Sequence, residues 1–467
     1  MRSHPLFMKL FAIVAIVGLL MLALGQIDHL AAERQMRFHE AEHSIEASQA
    51  GRQSVLGPAL LARCVEEWPT TIGEGKDRKT IVEKREFMLT ATPQQLDVQS
   101  TVTMEPRYRG LFKVNTYVAR ATLRARWDSL APLRAKREHA ESRLACGAPV
   151  LTVAVSDARG IRQAALAVDG KPVAVQPGTS HAIHPRGFHA VLADGRADAD
   201  GPLAAQVTLE LVGTAAMAVA PIGGDTVMTL HADWPHPSFG GRFLPVSRDV
   251  RADGFDATWR VSSLATTAPG DFARGGMLCA PRGGDGDDAP AAATPRDATC
   301  IESFDVSFID PVNPYSLSDR AIKYGLLFIG LTFVAVGMVE VMRRLRVHPI
   351  QYLLVGCALS LFFLLLLSLS EHLRFEVSYA VAATACVTLL GVYGRYLLGG
   401  WRAGLVFATG LAALYGALYA LLQLEQNALV LGSVLLFVVL AGVMMLTRRV
   451  DWYQVLGTSP PAPQAAA

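Results

Sequence analysis

Apolar and polar positions divide this chain into two regimes. From about Asp28 to Arg320 polar residues are frequent and interleaved, with many Pro and Gly, whereas almost everything outside that span is apolar. The apolar stretches resolve into six runs: Leu6–Gly25, Tyr324–Met342, Ile350–Leu369, Val377–Leu398, Ala403–Leu422 and Ala428–Leu446. A helix rising 1.5 Å per residue needs roughly 20 apolar residues to cross a hydrocarbon core of about 30 Å, so each run is long enough to span. None carries Asp, Glu, Lys or Arg near its middle; Lys9 interrupts the first, and Glu340 and Arg395 fall near ends. The pattern predicts a membrane protein, an α-helical bundle of about six transmembrane helices plus a large β-rich domain inserted after the first helix. In residue terms it predicts an anchor over 1–27, a charged stalk helix over 28–50, the β-rich domain over 51–320, a five-helix bundle over 321–449 and a tail over 450–467.

Inside the polar span the period changes to that of strands. Leu151–Val155, Val207–Val212, Val227–His231 and Ala257–Val261 alternate or are β-branched, and Asp169-Gly170, Pro177-Gly178, Asp194-Gly195 and Gly223-Gly224 supply turn chemistry. Many short strands with turns predict antiparallel, sandwich-like sheets. The span is large for one sandwich, which predicts two subdomains, 51–150 and 151–320. A weak internal echo points the same way. Pro106, Tyr108, Gly110 and Phe112 match Pro237, Phe239, Gly241 and Phe243, and each set precedes an Ala-Thr and a Trp (Trp127, Trp259).

Charge sets the orientation. Arg2 and Lys9 open the chain, Arg343, Arg344 and Arg346 follow the second run, Arg395 and Arg402 flank a later turn, and Arg448 and Arg449 follow the last. The intervening loops, Glu371–Glu376 and Gln423–Asn427, are acidic or mixed, so the positive-inside rule puts both termini in the cytoplasm and the large domain outside. Arg2, an apolar core, Ala23 and Gly25 could also make a cleaved signal, but the run is long and lacks an Ala-x-Ala site, which favours an uncleaved anchor. Of 467 residues 51% are hydrophobic and 18% charged, too apolar for an ordinary soluble enzyme; a net charge of +2 gives no field for nucleic acid.

Candidate chemistry is sparse. Cys64, Cys146, Cys279 and Cys300 lie in the outside region, and four cysteines in an oxidising compartment permit two disulfides. Cys279–Cys300 with Cys64–Cys146 is one of three pairings, and four free thiols is the alternative. His39-Glu40-Ala41-Glu42-His43 formally fits the zinc motif His-Glu-x-x-His, yet the charged residues around it read as a solvated stalk. Gly283-Gly284-Asp285-Gly286-Asp287-Asp288 resembles a solitary copy of a calcium repeat that binds only in stacked arrays. There is no Gly-x-Ser-x-Gly elbow and no phosphate-cradling Gly-x-x-x-x-Gly-Lys. Ser370-Glu371-His372 is a compact polar trio at a helix end, read as an interface marker. The bundle has no midplane charge, which disfavours ion-coupled transport. No catalytic residue, metal or cofactor is expected.

Trp234-Pro235-His236-Pro237-Ser238-Phe239, followed by Phe243-Leu244-Pro245, resembles the signature of the CreD family of inner-membrane proteins. The same order of similar stretches runs through Gly57-Pro58, Ser156-Asp157-Ala158-Arg159-Gly160-Ile161, Asp319-Arg320-Ala321 with Lys323-Tyr324, His348-Pro349 with Gln351–Gly356, Leu369-Ser370-Glu371-His372 and Asp451-Trp452-Tyr453. Cys279–Cys300 looks like an insertion, and His39–His43 departs from the family pattern. The resemblance implies an inner-membrane protein controlled by a two-component system that answers carbon supply and envelope stress. It also implies links to envelope integrity, colicin tolerance and β-lactam responses, with no established enzymatic activity.

These readings leave two sets of candidate residues. Trp234, His236, Phe239 and Arg159 form a candidate binding surface for a glycan, lipid or protein of the envelope, against the plainer reading of a packed strand-end corner and a local turn. Asp319, Arg320, Lys323, Glu371 and His372 are candidates for domain–membrane coupling, against simple interfacial anchoring. The favoured function is a non-enzymatic envelope-integrity and stress-response factor that meets membrane lipid and an envelope component or partner protein. The alternative is a transporter or modifier of a lipid-linked envelope substrate acting through the bundle.

Overall fold

The computed structural model describes residues 5–72, 79–192, 201–281, 300–308, 310, 314–343, 345–423 and 428–448. The chain forms two compact units, Met1–His39 with Val312–Ala467 and Glu40–Pro311. The Gly283–Asp288 and Asp451–Tyr453 motifs and the Asp194-Gly195 turn lie outside the described residues.

In the first unit the apolar runs are helices. They are the unit's share of α1 (Pro5–Ser48), then α4 (Gly325–Arg343), α5 (Pro349–Ser370), α6 (Phe375–Leu397), α7 (Trp401–Gln423) and α8 (Ala428–Thr447). Among the described residues α1, α4, α5, α6 and α7 are long and apolar enough to cross a membrane, and Gly432–Met445 within α8 is a shorter apolar helix. A short helix that the hydropathy pattern does not separate from its neighbour, α3 (Pro314–Lys323), precedes α4 and buries Tyr315, Leu317, Ala321 and Ile322 along one face. Small residues let the long helices approach closely. A Cβ on Gly356 of α5 would lie 2.1 Å from the Leu20 side chain of α1, and one on Gly391 of α6 would lie 2.9 Å from Ala408 of α7. Aromatics fill the centre, where Phe362 packs 4.5 Å from the Tyr415 ring and Tyr379 donates to the Tyr415 carbonyl at 2.7 Å.

The second unit is built on two large sheets. One contains, in spatial order, β11 (Gln176–Pro177), β12 (Gly187–Val191), β8 (Val150–Val155), β1 (Gln53–Ile72), β14 (Ala216–Val219), β19 (Phe304–Phe308) and β16 (Pro237–Gly241), with β2 (Lys79–Ala91) and β7 (Arg143–Cys146) also on β1. The other runs β10 (Lys171–Val173), β9 (Ile161–Val168), β13 (Leu203–Thr214), β6 (Thr116–Trp127), β3 (Gln95–Met104), β15 (Asp225–Ala232), β18 (Gly254–Ser262) and β17 (Ser247–Arg251). A small hairpin, β4 (Arg107–Arg109) with β5 (Phe112–Val114), joins β3 to β6, and a short helix, α2 (Ala268–Ala273), follows β18. Burial alternates along β13, β15, β3 and β18, so this second sheet turns one face to the core. Along β1 the first ten residues are all buried, marking a strand covered on both faces before it leaves the core. Trp127, Trp259, Phe255 and Phe304 are fully buried in one continuous core fed by both sheets.

Three expectations about this domain change. The sheets are mixed rather than antiparallel: β1 runs parallel to β14, and β3 runs parallel to β15 with Gln95 opposite Asp225. Two subdomains split at 150/151 are not seen, because each sheet interleaves strands from both halves over the single core. The internal echo does not mark equivalent positions either. Tyr108 sits 67% exposed on the small hairpin, whereas Phe239 packs against the core. Turn chemistry does place Asp169-Gly170, whose positive φ values of 48° and 76° close the β9–β10 hairpin.

The four cysteines of this unit form two disulfides. Cys64–Cys146 joins directly opposed residues of β1 and β7, and Cys279–Cys300 holds the ends of a segment whose interior is outside the described residues. His39 and His43 lie on α1, where the His43 Nδ1 is 3.4 Å from the Glu46 carboxylate. No group of three or more metal-ligating side chains occurs among the described residues.

Candidate functional site

The last carbonyls of any helix have no partner within it. At the end of α1 that role falls to Arg159. Its guanidinium donates to the carbonyl of Glu46 at 3.1 Å and to that of Ala47, while Nε and Nη2 grip Asp157 at 3.0 and 2.6 Å. Asp157 caps the 3₁₀ turn Ala158–Gly160 by accepting from the Arg159 N–H at 3.1 Å and accepts from the Gly51 N–H at 3.3 Å. The Arg159 guanidinium holds the Asp157 carboxyl below the usual carboxylate range. Gln53, fully buried, donates to the carbonyls of Asp157 and Val212, both at 3.0 Å. A side chain at position 160 would put its Cβ 2.2 Å from the Val212 carbonyl oxygen, so only glycine fits. The string Ser156–Ile161 is therefore a clamp on the helix end, with Arg159 as its positioning residue.

The Trp234–Phe239 segment builds a different feature. Pro235 and Pro237 lack N–H donors and fix φ, which stiffens the corner between β15 and β16. Phe239 turns inward, meeting Phe255 and Trp259 edge-on at 5.5 and 5.7 Å, and Trp259 stacks on Phe304 at 5.3 Å. Trp234 is half-buried and its indole N–H donates to the His236 carbonyl at 3.0 Å; the His236 ring is exposed and stands edge-on to it at 6.4 Å. Lys113, on β5, places its ammonium 6.0 Å from the Trp234 ring centre, within reach of the ring quadrupole. Asp305 lies across from Gly240, where an added Cβ would come 2.5 Å from its Oδ1, and burial pushes its carboxyl up to about 6. The corner thus joins an aromatic face and a cation, and the strand that follows it faces a carboxyl of raised pKa. Neither Lys113 nor Asp305 carries a local signal: Lys113 comes from the separate β4–β5 hairpin, and Asp305 comes from β19, which pairs with β16.

In the first unit the candidates separate into short-range pairs. Asp319 and Lys323 bond each other at 2.6 Å along α3, with half-buried Arg320 between them. Glu371, at the end of α5, pairs with Arg34 of α1 at 3.3 Å, while His372 is exposed. Ser370 donates to the Leu367 carbonyl at 2.8 Å, so Ser370, Glu371 and His372 do not converge. A second polar junction lies toward the other end of the bundle. Glu340 of α4 pairs with Lys9 of α1, accepts from the Tyr352 hydroxyl at 2.9 Å, and accepts from the Val347 N–H at 3.1 Å. The adjoining His348-Pro349 starts α5: His348 accepts from the Ile350 N–H at 3.3 Å and its own N–H donates to the Gln351 side chain at 2.9 Å. The lone cation in the first apolar run was the available signal for this junction.

Comparison with known proteins agrees with the motif order along the chain. Residues 5–453 match the family described as inner membrane protein CreD. The inner membrane protein CreD of Escherichia coli (strain K12) is 35% identical over 456 residues, covering 97% of this chain and 95% of that protein. Solved structures give partial likenesses. An M1 zinc metallopeptidase from Deinococcus radiodurans aligns at TM-score 0.19 and 13% identity over 36% of this chain and 38% of that one. The secretin-domain β-barrel of InvG from Salmonella aligns at TM-score 0.06 and 10% identity over 38% and 66%. Likenesses this low carry no argument about fold or activity. With a match that runs through both the helical bundle and the β-rich domain, the chain belongs to the CreD family of inner membrane proteins.

Proposed function

We propose that this protein is a non-enzymatic factor supporting cell-envelope integrity and the envelope-stress response, whose β-rich domain lies in the periplasm and binds an envelope component or partner protein at the Trp234–His236 corner. Both termini are then cytoplasmic, in keeping with the arginines and lysines that flank alternate ends of the apolar runs. The observation that carries the reading is the split character of the corner. Phe239 is locked into the aromatic core, whereas Trp234 and His236 reach solvent beside Lys113 on a backbone stiffened by two prolines. A rigid, partly exposed indole next to a cation loses little freedom on binding and suits the apolar face of a sugar or a protein side chain.

The test is leakage of a periplasmic marker under detergent or β-lactam challenge in a deletion strain. The strain carries wild-type protein, Trp234→Ala or empty vector, with membrane abundance checked by blot. Loss of rescue by Trp234→Ala at normal abundance supports a binding corner. Full rescue makes the corner structural and removes this site from the proposal.

A further inference from the structure

The described part of the helical bundle carries a laterally open slot of about 490 Å³ between α4, α7 and α8, well within the roughly 300–1,000 Å³ of pockets that hold small ligands. Its α7 wall runs from Arg402 to Leu414, a length of about 18 Å at 1.5 Å per residue. Two glycines make the room. A Cβ added at Gly410 of α7 or at Gly442 of α8 meets nothing within 4 Å, although both residues line the slot. The walls are otherwise aliphatic or aromatic, with Met338 and Phe407 among them, and Arg402 stands exposed at the α7 start. Thr332 is the exception along α4: it is 3% exposed and its hydroxyl has no hydrogen-bond partner. Thr388 and Thr409 instead donate to the carbonyl one turn back, at 2.7 and 2.9 Å.

We propose that this slot holds one acyl chain of an anionic phospholipid whose phosphate pairs with Arg402. A long, narrow, apolar space in spanning helices fits a hydrocarbon chain, and a guanidinium at its end complements a phosphate by charge and by bidentate geometry. The unpaired Thr332 hydroxyl faces a chain that cannot satisfy it, so Thr332→Val keeps or strengthens retention.

The experiment uses the full-length protein in nanodiscs of mixed phosphatidylglycerol and phosphatidylcholine. The protein is then extracted into mild detergent, and retained lipid is counted by mass spectrometry. Gly410→Leu fills the slot, whereas Gly416→Leu on the same helix adds the same bulk into open space away from it. The expected result is about tenfold less retained phospholipid for Gly410→Leu than for Gly416→Leu, because a displaced chain loses several buried methylenes. Arg402→Gln is expected to keep lipid but lose the preference for phosphatidylglycerol. Equal retention by the two glycine variants overturns the proposal, as does an unchanged preference in Arg402→Gln. A change in particle mass on Gly410→Leu assigns the slot to a second copy of the chain and also overturns it. A tenfold loss on Thr332→Val overturns the acyl-chain assignment by requiring a polar group deep in the slot.

Discussion

Lys9 and Glu340 form an ion pair that ties the beginning of α1 to the end of α4. Their side chains are 24% and 14% exposed, so neither is fully hydrated, and Tyr352 and Val347 complete the carboxylate's partners. Removing one partner strands the other. Lys9→Met is expected to lower bundle stability by roughly 1–3 kcal/mol, less than the cost of breaking a fully buried pair. The double variant Lys9→Met with Glu340→Leu should recover most of that loss. Thermal unfolding in detergent micelles reads both, and a double variant less stable than Lys9→Met would show that the Glu340 bonds to Tyr352 and Val347, rather than a carboxylate stranded without Lys9, dominate this junction.

Glu66 gives the β-rich domain an acid limb. Its buried carboxylate accepts from the N–H groups of Glu138 and His139 at 2.9 and 3.1 Å and from the Ser142 hydroxyl, the bond that does most to lower its pKa. The folded state therefore favours the ionised form. Its contribution is present above the ordinary carboxyl value of 4.5 and is lost as pH falls through the lower folded value. Glu66→Gln should unfold at lower urea than wild type at pH 7, and the gap should narrow steadily below pH 4.5. A gap that stays constant down to pH 3 would contradict this linkage.

The two disulfides should differ in weight. Cys64–Cys146 closes 82 residues and Cys279–Cys300 closes 21. On loop-closure entropy the first stabilises by about 4.5 kcal/mol and the second by about 3 kcal/mol. Paired Cys→Ser variants compared by urea denaturation without reductant should rank in that order. The opposite ranking would mean that local contacts around Cys279–Cys300, rather than chain entropy, dominate.

Sequence periodicity reveals what a segment is, and much less often what it meets. Helix positions follow from run length, and β13, β15 and β18 follow from alternation, because burial of one face imposes a period of two. The partners of those strands are not periodic information. Nothing near Gln95 signals that it will run parallel to Asp225, which is why an antiparallel sandwich was the natural expectation. The candidate residues divide in the same way. The proline-bracketed Trp234 corner is legible as a stiff aromatic turn. Lys113 meets Trp234 from a separate hairpin, Asp305 faces Gly240 through the β16–β19 pairing, and Arg159 is held by backbone carbonyls at Glu46 and Ala47, acceptors that every residue type carries. The capping box at His348-Pro349 escapes the usual pattern because an imidazole replaces the hydroxyl or carboxylate cap.

The interleaving of strands has a consequence for how the domain comes into being. β1 is made early in synthesis, yet its neighbour β14 follows more than a hundred and fifty residues later, and β3 must wait for β15. Until Asp225–Ala232 and Phe304–Phe308 emerge, both sheets carry open edges of Val, Leu and Ala that could template non-native pairing. Contacts of such long sequence separation slow closure. The nascent domain therefore passes through an interval in which its unpaired strand edges, rather than its final topology, set its tendency to aggregate.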